Sequence, residues 1–323
     1  LTRRFISVIR YCMFFVESAP GARRLHAREQ RLHEMSAASS EPDAVVAASV
    51  ETPSGKWRDG ENFPVGSLLI RRDLRRHVHA FYRFARNADD IADNPALASA
   101  DKIHRLDRMA AVLDGAPGPD SPAAAAMRQS LLETGMTAQH CHDVLRAFRQ
   151  DAEQRRYRDW ADLMEYCRYS AAPVGRQLLD LHGESRFTWP ASDALCAALQ
   201  VLNHLQDCAL DYRRLDRVYL PLSDLAAAGI RVEALAAPAA SPALRQVLEI
   251  LLDRTAALIA TARGLPPAVA AAGLRCECAV IVELAVRLLA RLRRGDPLAH
   301  RVGLSKIDFL AAFGLGVLRG ARR

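Results

Sequence analysis

The 323-residue chain has no apolar run that reaches the roughly 18 residues a membrane-spanning helix needs. It also lacks the alternating β-branched runs, closed by turn pairs, that mark strands. Its seven cysteines show no disulfide-framework spacing. The groupings Cys276-Glu277-Cys278 and His140-Cys141-His142 have no second pair at zinc-site distance. Gly314, Gly316 and Gly320 miss the G-x-G-x-x-G spacing, and no strand pattern precedes them. A helical membrane span, a disulfide scaffold, a zinc module and a dinucleotide fingerprint are thereby set aside. The cysteine usage fits a reduced, cytoplasmic setting.

What is present is helical. From Trp57 onward Ala, Leu and Arg dominate, with breaks at Pro64, around Pro95, at 114–122, near Trp189-Pro190, at 236–242, at Pro266-Pro267 and at 295–297. About eight to ten helices are expected, with no repeat and no composition shift to divide them. The expected organisation is an N-terminal extension over residues 1–55, disordered, and one all-α domain over residues 56–323. The opening stretch resembles a signal sequence weakly, and Arg10 interrupts its apolar part. Met35 opens a polar stretch, so residues 1–34 are expected to lie upstream of the working protein.

Charge narrows the partners. Forty-four basic against 37 acidic side chains leave a net charge of +7, which suits nucleic acid, a membrane surface or a phosphorylated small molecule. The C-terminal FLAAFGLGVLRGARR is apolar with a basic end. It reads as a last packed helix, or as one that rests on a bilayer.

Two stretches carry the chemistry. In RNADDIADN (residues 86–94), Asp89, Asp90 and Asp93 follow an apolar run. On a helix, Val78, Tyr82, Arg86, Asp89 and Asp93 fall within an arc of about 80°, so the core-facing side continues directly into carboxylates. In LQVLNHLQDCALD, Gln200, Asn203, Asp207 and Asp211 share a similar arc, with leucines opposite. A solvated face would carry Lys, Glu and Arg; this one carries short oxygen-bearing groups. Oxygen donors without His or Cys point to Mg²⁺, held by carboxylates together with substrate phosphates. The simpler alternatives are a solvated helix end for the first stretch and surface pairing of Asp207 and Asp211 with Arg213 and Arg214 for the second.

These stretches resemble the two aspartate-rich motifs of the squalene and phytoene synthase family. DLRRHVHAFYRFARNADDIADN is similar to the first motif and LQVLNHLQDCALDYRRLDRVYLP to the second, with YCRYSAAPVGR (166–176) similar to the central tyrosine segment. The likeness runs from about Glu61 to Lys306. Within the family, ENFPVGS (61–67) and DPLAHRVGLSK (296–306) look like the bacterial hopanoid branch that forms hydroxysqualene.

The resemblance implies an isoprenoid-synthase helical bundle with a central cavity and Mg²⁺-dependent loss of diphosphate from a prenyl substrate. Asp89, Asp90, Asp93, Asp207 and Asp211 match the metal-binding positions. Asp89, Asp93, Asp207, Asp211 and Tyr169 match catalytic ones. Phe63, Tyr82, Arg86, Tyr166, Gly175, Gln200, Asn203 and Tyr219 match positions near the substrate, and Phe81 is a further aromatic candidate for the cavity wall. Gly175 is expected to break its helix and open room for the chain.

The implied reaction is presqualene diphosphate plus water to hydroxysqualene and diphosphate, in the cytoplasm or at the inner face of the membrane. The nearest rival is condensation of two prenyl diphosphates. A basic nucleic-acid-binding protein, using Arg71-Arg72 and Arg75-Arg76, is disfavoured because five inward aspartates would repel phosphates. No nucleic-acid partner is expected.

Overall fold

The computed structural model describes residues 49–51 and 69–321. Most of the expected N-terminal extension lies outside the described residues, as do Pro64 and the ENFPVGS segment with Phe63. Residues 49–51, assigned from sequence to that extension, are docked. Val50 donates its N–H to the Asp120 carbonyl at 3.0 Å, and the Glu51 carboxylate accepts from the Ala123 N–H at 2.6 Å.

Twelve α-helices follow among the described residues. They are α1 Arg75–Ala92, α2 Ser99–Leu113, α3 Pro122–Thr134, α4 Gln139–Glu153, α5 Trp160–Ser170, α6 Ala172–Leu181, α7 Trp189–Leu215, α8 Leu222–Ala227, α9 Pro242–Ala262, α10 Leu265–Ala268, α11 Ala272–Arg294 and α12 Lys306–Ala321. The single pairing of β type among them is an isolated bridge between Arg156 and Val218. Local chemistry sets many of the boundaries. Proline stands in the first two positions of α3, α6, α7 and α9, where its missing N–H costs nothing. Asp159 caps α5 through the Asp162 N–H at 2.9 Å.

The 27-residue α7 is the axis of the molecule. It packs against α5, α6, α9 and α11, while α1 packs against α2, α3 and α4. One continuous apolar core joins the two groups. The helix breaks expected around Pro95, at 114–122, near Trp189-Pro190, at 236–242 and at 295–297 are present, whereas Pro266-Pro267 stand inside the one-turn α10.

The expected break at Gly175 is absent, because α6 runs straight through it. A Cβ there would lie 2.3 Å from the Ser192 Oγ and 2.8 Å from the Cys196 Sγ of α7. Glycine is therefore what lets α6 approach α7 so closely. Gly175→Val forces the two helices apart and is expected to lower stability by about 1–3 kcal/mol, read as an earlier urea midpoint in far-ultraviolet circular dichroism. An unchanged midpoint would show that this crossing yields.

The turn after α7 matters most for the site. Asp216 adopts φ 50°, the one positive φ outside glycine among the described residues. Its carboxylate is pinned by Arg155 at 3.1 Å and Arg156 at 2.5 Å. The Val218 N–H then reaches the Arg155 carbonyl at 2.9 Å, zipping the exit of α7 to the exit of α4. Arg217 and Tyr219 are thereby aimed inward.

Candidate active site

Val78, Tyr82, Arg86, Asp89 and Asp93 are all buried, as the arc on α1 requires, and Asp90 is buried beside them. On α7, Gln200, Asn203 and Asp211 are buried and Asp207 is half-buried. The alternative of surface aspartates is thereby ruled out for all but Asp207. The α1 cluster occupies the C-terminal turn of its helix, and on α7 Asp211 lies about one turn from the helix end. The backbone dipole there disfavours an anion by about 0.3–1 kcal/mol per charge. Burying carboxylates at such ends demands positive charge.

The protein supplies part of it. Arg86 pairs with Asp90 at 3.2 Å within α1. Arg217, itself buried, donates to the Asp93 Oδ1 at 2.5 Å and to the carbonyls of Ala92 and Asp151 at 3.1 and 2.9 Å. Burial works against the Arg217 charge, yet Asp93 and Asp151 outweigh it and hold its pKa well above the ordinary value. The Arg217 N–H also reaches the Asp211 carbonyl at 3.3 Å. One arginine thus ties the ends of both aspartate stretches together. Lys102 adds a donor to the Ala92 carbonyl at 2.9 Å.

Compensation is incomplete at Asp89. Burial, then the neighbouring Asp93 charge, push its carboxyl well above the usual range, with Arg86 opposing. The Oδ2 atoms of Asp89 and Asp93, the Oε1 of Gln200 and the Nδ2 of Asn203 are buried with no hydrogen-bond partner. Among the described residues, no three His, Cys, Asp or Glu side chains converge closely enough to hold an ion by themselves. Orphaned hard oxygens that fall short of a closed cage fit Mg²⁺, which completes its shell with water and substrate phosphate. Asp207 and Asp211 open on a cavity of about 390 Å³ that is also lined by Arg213, Arg214, His300 and Arg301.

Beside the carboxylates lies a stack of aromatic rings. Tyr166 and Tyr219 donate their hydroxyls to the two oxygens of Asp151, at 2.8 and 3.0 Å. Tyr157 stacks on Tyr219 with ring centroids 5.3 Å apart, and the His204 ring also stacks on Tyr219, at 3.6 Å and 7°. Tyr169 is not in this group. It is half-buried one turn further along α5, with the Arg146 guanidinium carbon 3.8 Å from its ring centroid. Gly175 faces Cys196, one turn before Gln200.

Sequence reasoning passed over Asp151, Tyr157, His204 and Arg217. Arg217 and Tyr157 sit in the short segments zipped together after α7 and α4, where no periodicity marks them. Asp151 and His204 are single polar residues on otherwise apolar helix faces. The signal available for such residues was the buried phase of each helix.

The residues 58–308 match the family model described as squalene/phytoene synthase. The hydroxysqualene synthase of Rhodopseudomonas palustris is 47% identical over 270 residues, covering 83% of this chain and 92% of that protein. The hydroxysqualene synthase of Zymomonas mobilis is 44% identical over 272 residues, covering 84% and 90%. Among solved structures, the squalene synthase HpnC of Alicyclobacillus acidocaldarius superposes with a TM-score of 0.63 at 32% identity, covering 70% of this chain and 86% of that one. With both aspartate stretches and the helical bundle in agreement, the chain belongs to the squalene/phytoene synthase family of prenyl diphosphate-processing enzymes.

Proposed function

We propose that the protein converts presqualene diphosphate and water into hydroxysqualene and diphosphate, using Mg²⁺. The observation that carries this reading is the set of unpartnered oxygens of Asp89 and Asp93, buried at a helix C-terminus and in need of cations. The product follows the relatives named hydroxysqualene synthase, which are 44–47% identical to this chain.

Asp89, Asp90, Asp93, Asp207 and Asp211 would hold Mg²⁺ together with the substrate diphosphate. Bound there, Mg²⁺ neutralises the charge that the departing diphosphate gathers. Arg86, beside Asp90, adds a fixed positive charge to the leaving-group side, and Arg217 holds Asp93 in place. The C–O bond breaks heterolytically with its electron pair leaving on diphosphate, and no nucleophilic side chain is required. The cyclopropylcarbinyl cation then needs dry walls and aromatic faces. Tyr82, Tyr166 and Tyr219 are buried aromatics of this kind. Of the two tyrosines in the central segment, Tyr166 has the better geometry, because its hydroxyl is anchored on Asp151. Phe63 belongs to the same proposal by its place in ENFPVGS. Water adds to the rearranged cation and releases one proton. The reaction would run in the cytoplasm at the inner face of the membrane, where a hydrophobic product can be taken up.

Product analysis by gas chromatography and mass spectrometry tests this. Purified protein with Mg²⁺ receives presqualene diphosphate or farnesyl diphosphate, each with and without NADPH. Hydroxysqualene from the first substrate, independent of NADPH, is the expected result. Presqualene diphosphate or phytoene-type products from prenyl diphosphates alone would assign a condensing reaction instead.

A further inference from the structure

Helix α12 reverses the usual arrangement of a core helix. Its inward face carries Ala312, Gly316 and Gly320, spaced four apart and all buried. A Cβ on Gly316 would lie 2.5 Å from the Val280 Cα, and one on Gly320 2.7 Å from the Cys276 Cα. The backbones of α11 and α12 meet where side chains would ordinarily stand. Large residues therefore face solvent: Ile307 is 77% exposed, Leu310 67%, Leu318 61% and Leu315 40%. With Gly314 they share an arc about 140° wide. Four of the nine exposed large apolar residues among the described residues are on this one helix, so they form a patch and not a scatter.

Positive charge stands at both ends of the patch. The first turn of α12 borders a cavity of about 570 Å³ lined by Arg287, Arg291, Arg294, His300 and Arg301, with Asp308 as the one carboxylate. Asp308 is committed to Arg291 at 2.5 Å, with Arg287 at 3.9 Å. The Arg287 Nε is buried without a hydrogen-bond partner. At the other end Arg319 is largely exposed beside its partner Glu283, and the sequence continues with Arg322 and Arg323.

We propose that α12 is a docking helix for a bilayer that contains anionic phospholipid. Its apolar arc lies among the acyl chains, and headgroup phosphates are taken by Arg287 and Arg294 at its foot. The charge pattern selects this occupant. A second copy of the chain would bring its own arginines against these, whereas an anionic surface complements them. The helix lies in the interface without crossing it: 16 residues extend about 24 Å, and no described helix is long and apolar enough to span a membrane. The inference rests on the membrane location proposed above and supplies the surface for it. His300 and Arg301 line both this cavity and the one at Asp207 and Asp211, so the docked face abuts the carboxylate site.

Flotation of the full chain with vesicles of phosphatidylcholine, with and without phosphatidylglycerol, tests it. The protein is expected to float with the anionic vesicles and to be released by added salt. Leu310→Glu/Leu318→Glu is expected to weaken vesicle affinity at least about tenfold, and Arg287→Gln/Arg294→Gln about tenfold or more for anionic vesicles only. Both variants should still turn over substrate presented in detergent, which shows that they are folded. Absence of flotation on either vesicle, or equal flotation of parent and variants, overturns the proposal. So does a concentration-dependent dimer in analytical ultracentrifugation that the leucine variant abolishes, because a second copy would then be the occupant. A failed product assay with flotation intact would remove the catalytic reading and leave the docking surface standing.

Discussion

Asp89→Asn abolishes turnover, by at least about a thousandfold if the carboxylates and their cations supply the charge stabilisation of the departing diphosphate, while leaving the protein as stable as the parent or more so. The two effects are expected to diverge for one reason. Asp89 is 3% exposed, lies at the C-terminal end of α1, and has an Oδ2 without a hydrogen-bond partner. In the empty protein its charge is a cost, and the isosteric amide removes that cost. Mutations that merely damage folding lose activity and stability together, so the divergence is diagnostic. The measurement pairs product formation with a thermal melt, each with and without Mg²⁺ plus inorganic diphosphate. Ligand at about a hundred times its dissociation constant stabilises the parent by about 2.7 kcal/mol. Asp89→Asn should lose most of that gain. A variant that keeps both turnover and the ligand-induced rise in melting temperature would remove Asp89 from the cation site.

The helical class, most of the breaks and the buried arc of α1 were legible because each is a local, periodic property. Val78, Tyr82, Arg86, Asp89 and Asp93 repeat at helical spacing, and burial of such an arc follows from packing one face of a helix. The polar stripe of α7 was legible for the same reason. What escaped detection depends on chain reversal. Tyr166 and Tyr169 lie one turn apart on α5 and both meet α4, yet Tyr166 reaches Asp151 near its end whereas Tyr169 meets Arg146 more than a turn earlier. Gly175 reads as a helix breaker by composition. Its cause is a neighbouring helix, which no spacing within residues 166–176 reveals. Helix α12 was left between two readings, a packed helix and a bilayer-resting one. The structure shows the packed face, with small residues on α11 and large ones outside, and the bilayer reading is the proposal made for that outer face.

Arg217→Met is the substitution expected to cost most stability. Arg217 is 4% exposed, and its guanidinium has three partners: the carboxylate of Asp93 and the carbonyls of Ala92 and Asp151. Methionine fills comparable volume but donates nothing. It leaves a buried carboxylate uncompensated and two carbonyls short of a donor, a loss of about 3–5 kcal/mol for the broken pair. The Asp93 charge dominates that loss, so a second change can isolate it. Adding Asp93→Asn to Arg217→Met removes the stranded charge, and the double variant should regain at least about 1 kcal/mol over the single one. Urea midpoints by far-ultraviolet circular dichroism read all three proteins. If the double variant is no more stable than Arg217→Met alone, the arginine acts through the two carbonyls. It would then be a clamp between α1 and α4, with no electrostatic hold on Asp93. Recovery in the double variant without recovery of turnover is the expected result, because Asp93 would be neutral where the proposed chemistry needs an anion.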